Sequence, residues 1–170
     1  TRVAGSLPVG IHTFYAKVYA GTGFSVTNLV SVQVGKQASF TGTPQAIPGT
    51  IEAGRYDTYP GGSGQDIAYS DASEDNQATY EPAPTQAFRP DQSVDAVLDP
   101  TEGATVGWVD AGEWLEYTVN VAQAGTYTLN LRYAAGNAGG GGPFFLSVDG
   151  TRVSPDQTVP TTSNWGTWAT

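Results

Sequence analysis

The sequence predicts an all-β protein, and three observations carry that expectation. The chain is 39% hydrophobic and only 14% charged, with 22 Gly and 11 Pro among 170 residues, a balance that suits short strands joined by tight turns. No window sustains apolar residues at i, i+3, i+4 and i+7, so no long helix is expected. Third, two consecutive runs alternate with a period of two. Leu115, Tyr117, Val119 and Val121 alternate with Glu116, Thr118 and Asn120; Tyr127, Leu129, Leu131 and Tyr133 alternate with Thr128, Asn130 and Arg132. Each run reads as a half-buried strand, and Gln123-Ala124-Gly125 supplies a turn that folds the second back on the first.

In chain order, residues 1–36 form a unit of their own. Leu7-Pro8-Val9-Gly10 is a turn, Ile11–Ala20 a strand, Gly21-Thr22-Gly23 a turn and Ser25–Val34 a second strand. Two strands cannot build an independent core. Residues 37–49 have no clear period and carry Pro and Gly, the pattern of a linker. A larger module is expected over 50–170. Within it Thr50–Tyr56 starts a strand, Tyr59–Gly64 is a loop and Ser70–Pro84 is a long polar loop. Gly136–Pro143 reads as a flexible connection, and Phe144–Val153 as a hairpin around Asp149-Gly150. The chain opens at Thr1 rather than Met and reads as a piece of something longer, so a missing signal peptide says nothing about its compartment.

Charge narrows the partners. The net charge of −9 repels phosphate backbones and anionic lipid, so neither nucleic acid nor a membrane is expected as partner, and a neutral ligand fits better. With no cysteine, disulfides and the usual zinc sites are excluded; the single His12 lies far from the larger module and leaves no base for a Ser-His-Asp arrangement. Neither Walker nor dinucleotide glycine patterns occur. Asp110, Glu113 and Glu116 are the closest carboxylates for glycosidic acid/base work, yet the first two belong to or flank the Asp110-Ala111-Gly112 turn and read as solvated turn residues.

Four tryptophans carry more information: Trp108, Trp114, Trp165 and Trp168. Any of them suits a core. On a strand, however, Trp165 and Trp168 point to opposite faces, and Trp114 shares its face with Glu116, Thr118 and Asn120 rather than with the Leu115 row. An outward indole flanked by carboxylates and amides suits a sugar, whose C–H face stacks on the ring while its hydroxyls bond the rim. Each such aromatic contact is worth about 0.5–1.5 kcal/mol beyond its area burial.

At these residues the chain resembles a known family. Val106–Val119, VGWVDAGEWLEYTV, is similar to the signature of the family 6 carbohydrate-binding modules, and the likeness extends from about Ile51 to Thr170. Ile51-Glu52-Ala53, Ala68-Tyr69, Asp71, Phe88-Arg89, Val94-Asp95, Ala124–Tyr127, Val148-Asp149-Gly150 and Asn164–Trp168 support it. The resemblance implies a β-sandwich jelly roll that binds polysaccharide or oligosaccharide without cleaving it, covalently linked to the catalytic domain of a secreted, extracellular glycoside hydrolase. It implies that Trp108 and Trp165 clamp a sugar ring, with an acid nearby on the sugar hydroxyls. Asp95 is the candidate for that acid, although anchoring the comparison on Phe88-Arg89 puts Val97 there instead. Tyr80 adds a wall. A second site on the concave face is implied at Trp114, Glu116 and Arg132, and a structural calcium held in part by Glu52, with Gly54 where the family carries a second acid. The family closes with a further pair of strands after the Trp165 segment; without them an exposed sheet edge is expected. The N-terminal unit resembles the last hairpin of bacterial immunoglobulin-like domains through Leu7, Pro8, Gly10, His12, Thr13, Ala16, Val18, Asn28, Val30, Val32 and Val34. Two other functions fit parts of the pattern: a structural or adhesion spacer with all tryptophans in the core, and a fragment of a glycoside hydrolase.

Overall fold

The computed structural model describes residues 10–20, 23–34, 36–73, 75–80 and 86–170, with 10–20, 23–34, 79 and 80 described by their backbone. The fold is all-β, as composition and periodicity predict; two 3-10 turns, Ala53–Arg55 and Gln77–Tyr80, are the helical elements among the described residues. The chain divides into two units, Thr1–Ala124 and Gly125–Thr170.

In the first unit, β1 (Gly10–Ala20) and β2 (Gly23–Val34) form the expected antiparallel hairpin, in register from Gly10 opposite Val34 to Ala20 opposite Gly23, with one slip at Ala16/Lys17. Leu7, Pro8 and Val9 of the N-terminal motif lie outside the described residues. The stretch 37–49, read as linker, is instead paired at both ends. Ala38 exchanges two backbone hydrogen bonds with Thr58, at 2.8 and 2.7 Å, and β3 (Gln45–Ile47) runs parallel to β9 (Val119–Val121). Thr50–Tyr56 is not a strand. It turns through Ala53–Arg55 because Gly54 is buried against Ala104 and Phe88, where a Cβ would stand 3.0 Å from the Ala104 Cβ.

A three-stranded antiparallel meander follows, made of β5 (Gln86–Ala87), β6 (Ala96–Asp99) and β7 (Gly103–Val106), and β4 (Tyr69–Ser70) pairs with β8 (Trp114–Leu115). The core is Tyr56, Ala68, Tyr69, Val94 and Ala96, with Phe88, Val106, Leu115 and Tyr117 packed against it. Arg89 staples this core. Its guanidinium lies 3.6 Å from the centre of the Tyr56 ring and donates to the Tyr56 and Asp57 carbonyls.

The predicted strand Leu115–Val121 is realised as two pieces, β8 and β9. Between them the backbone serves other partners: Glu116 N donates to the Ala68 carbonyl, Asp57 N to the Glu116 carbonyl, and Thr118 N to the buried Asp57 carboxylate. The alternation holds the first half of the inner row and fails at Val121, which is exposed. Leu115 and Tyr117 face the core while Trp114 is exposed.

The second unit departs further from expectation. In the predicted strand Tyr127–Tyr133, Tyr133 forms a β-bridge with Ala169, and Tyr127, Leu129 and Leu131 are exposed. Within the first unit, β9 takes β3 as its partner. The Asp149-Gly150 hairpin is present, with β11 (Ser147–Val148) on β12 (Thr151–Arg152); both turn residues have positive φ, 49° and 74°, as a type I′ turn requires. The glycine run expected to be a flexible connection supplies β10 (Gly141–Phe144), which pairs with β13 (Gln157–Val159).

Candidate functional site

Two exposed tryptophans flank one tight turn in the first unit. Trp108 leaves the end of β7 and is 44% exposed; Trp114 opens β8 and is 39% exposed. Between them Glu113 closes the Asp110–Gly112 turn. Its carboxylate accepts from Asp110 N at 2.9 Å and from Ala72 N at 3.0 Å, and Gly112 takes the positive φ of 98° that the turn needs. Glu113 is therefore a clasp between two loops, not the solvated turn residue its sequence position predicts. Asp110 remains exposed.

Trp108 has a φ of 47°, in the left-handed region that costs a bulky L-residue about 1–2 kcal/mol. Backbone strain of this kind persists only where neighbours over-determine it. Here the neighbour is Asp95: its carbonyl accepts from Gly107 N at 2.9 Å, fixing the residue before Trp108. The Asp95 side chain does not face a ligand. It is 2% exposed and accepts from Gln77 N and Nε2, anchoring the start of the Gln77–Tyr80 turn. Burial holds its carboxyl above the usual aspartate range, and the nearby charges of Asp71 and Glu113 push the same way. Asp95, expected to bond sugar hydroxyls, thus has its carboxylate buried on Gln77, while its backbone carbonyl holds Gly107, the residue before Trp108. The alternative, Val97, is also buried, in β6. Tyr80 ends the 3-10 turn that Asp95 anchors; its side chain lies outside the described residues.

Glu116 is half-buried on the Trp114 side of the strand, its carboxyl raised by burial and then by the Asp57 charge. Arg132 belongs to the second unit and is exposed there.

Trp165, also in the second unit, is 65% exposed on the loop between Thr161 and Thr167. Asn164 shapes that loop, its Oδ1 accepting from Gly166 N at 2.9 Å and Thr167 Oγ1 at 3.0 Å. Thr162 ties it to Ala135 through both its N–H and its hydroxyl. Gly136 comes next, and the indole lies against it: a Cβ there would stand 2.6 Å from Trp165 Cε2. Trp168 is half-buried; Trp165 is the outward indole, but the segment is a turn rather than the strand on which the two were expected to face opposite ways. Neither Gly136 nor Asn164 carries a sequence signal for this role beyond its neighbourhood to an aromatic.

Glu52, the residue expected to hold a structural calcium, is engaged by its own neighbours. Arg55 Nε donates to its Oε2 at 2.7 Å and Ala104 N donates to the same oxygen at 3.2 Å; Arg55 holds the carboxyl below the ordinary glutamate range. At Gly54 a Cβ would stand 3.0 Å from the Ala104 Cβ, and among the described residues no group of three His, Cys, Asp or Glu is placed to hold a metal.

An all-β chain that presents indoles outward on its loops, one of these loops clasped by Glu113, is of the sugar-binding class. The profile of the Carbohydrate binding module (family 6) matches residues 86–170, half of the chain, and the chain belongs to that family. Isomaltosyltransferase of Sporosarcina globispora is 37% identical over 68 residues, which are 40% of this chain and 6% of that protein. The chain thus matches only a small part of that relative's length. No solved structure matches the chain.

Proposed function

We propose that this chain binds a neutral polysaccharide by stacking Trp108 and Trp165 on sugar rings, and so holds a covalently linked, secreted carbohydrate-active domain on its substrate. The observation that carries the reading is the strained, exposed Trp108, whose loop is braced by Asp95 from behind and by Glu113 from the side. A fold does not hold an indole outward at a conformational cost for packing alone. Trp165 supports it from its own unit, outward and shaped by Asn164 and Gly136. Trp114, with Glu116 on the same side of the strand, is a second stacking surface. The acidic surface favours an uncharged glycan over a sulfated or uronic one. The N-terminal hairpin β1–β2 fits the reading of an immunoglobulin-like spacer between modules.

The name of the similar isomaltosyltransferase points to α-glucans as the first ligands to try, since an isomaltosyl group is an α-1,6-linked glucose pair. Titrating the intrinsic indole emission with dextran, laminarin, xylan and agarose oligosaccharides tests the proposal. A saturable change with one neutral glycan is expected; an unaltered spectrum with all of them overturns the reading.

A further inference from the structure

A concavity of about 690 Å3 opens between the 63–76 loop and the Pro90–Ser93 turn of the first unit. Neither Trp108 nor Trp114 lines it. Gln65, Tyr69, Asp71, Asp91, Gln92 and Ser93 do, so its walls are hydroxyls, amides and carboxylates rather than ring faces.

Tyr69 sets its character. The residue is 1% exposed, its ring packed edge-on against Tyr56 at 5.3 Å and against Gly64, where a Cβ would stand 3.2 Å from Tyr69 Cε1. The ring is fixed, yet its buried hydroxyl has no hydrogen-bond partner among the described residues. An unpaired buried hydroxyl destabilises the fold unless something entering the concavity completes it.

The groups around it are already oriented. Gln65 Nε2 donates to the Asp71 carbonyl at 3.1 Å and Gln65 Oε1 accepts from Asp71 N at 3.2 Å, while Gln92 Oε1 accepts from Tyr56 OH at 3.1 Å. That orientation leaves the Gln92 amide N–H groups as donors. Carboxylates at Asp71, Asp75 and Asp91 repel anions, and among the described residues no acids are grouped to hold a metal ion. A neutral ligand with neighbouring hydroxyls satisfies the set: its O–H groups donate to carboxylates, and its oxygens accept from Tyr69 and Gln92.

From this geometry we propose that the concavity is a second saccharide site, which takes a single neutral sugar unit edge-on by hydrogen bonds and uses the Tyr69 hydroxyl as its buried donor. The proposal rests on the carbohydrate-binding reading above but names a different place and a different mode of contact. Amide NMR titration of the whole chain with methyl glucoside, methyl galactoside and methyl xyloside tests it. At least one should shift the Gln65, Asp71, Gln92 and Ser93 amides. Tyr69→Phe should weaken that binding about tenfold, the weight of one buried hydrogen bond, without lowering Tm, because it removes an unpaired group. Trp108→Ala should leave this Kd within twofold. No shift at these amides with any glycoside overturns the proposal. Unchanged affinity in Tyr69→Phe also overturns it, since the hydroxyl would then be completed by water alone. Indole signals that respond while these amides stay still sink this site and leave the stacking site standing; pocket shifts with silent indoles do the reverse.

Discussion

Gly136 shows how little separates a placed indole from a displaced one. Its φ is not positive, so alanine is compatible with the backbone there, and the only obstacle is the Trp165 ring 2.6 Å from the new Cβ. Gly136→Ala should therefore swing the indole away and weaken polysaccharide binding about 3–10-fold, the value of one stacked ring, with little change in Tm. A binding isotherm read beside the near-ultraviolet circular dichroism of the indoles checks this. Asp95 makes the second point. Because burial raises its folded pKa, its contribution to stability is full below the unfolded value near 4 and is lost as pH rises through the raised folded value. Thermal melts between pH 3.5 and 7 should show that downward component with rising pH in the parent chain and lack it in Asp95→Asn. Sequence exposes an acid near a sugar site but not its burial: that follows from Gln77 donating to it across 18 positions. The outward Trp114, by contrast, was legible, since strand alternation fixes faces without reference to partners.

At the scale of elements, periodicity gave faces and withheld pairings. Val119–Val121 reads as a strand in any context, yet its partner is the three-residue Gln45–Ile47, too short to show a period and set between Pro44 and Pro48. The stretch 37–49 consequently belongs with the module. Deleting residues 1–36 should leave Tm nearly unchanged, because β1 and β2 pair with one another in a sheet of their own. Deleting 1–49 removes β3 and the Ala38–Thr58 bridge as well. At about 0.5–1.5 kcal/mol for each hydrogen bond lost, Tm should fall by roughly 5–10 °C; calorimetry of the two truncations distinguishes them. Hairpin β11–β12 was legible for the opposite reason. Asp149-Gly150 encodes its turn locally, so no distant partner is needed.

At the scale of the molecule, composition does most of the excluding and the tryptophans most of the assigning. A −9 chain with no cysteine and one histidine has few routes to phosphate, nucleic-acid or zinc chemistry, and of the three carboxylates closest in sequence Glu113 is engaged in holding Asp110 and Ala72. The family adds carbohydrate binding, and the neutral glycan is the ligand proposed. The most direct test is affinity electrophoresis of the chain through gels containing dextran, laminarin, xylan or agarose, with Trp108→Ala, Trp165→Ala and Trp114→Ala run alongside. Retardation in one gel, abolished by Trp108→Ala and by Trp165→Ala and kept by Trp114→Ala, is the predicted result. Retardation that survives the first two substitutions, or none in any gel, would contradict it.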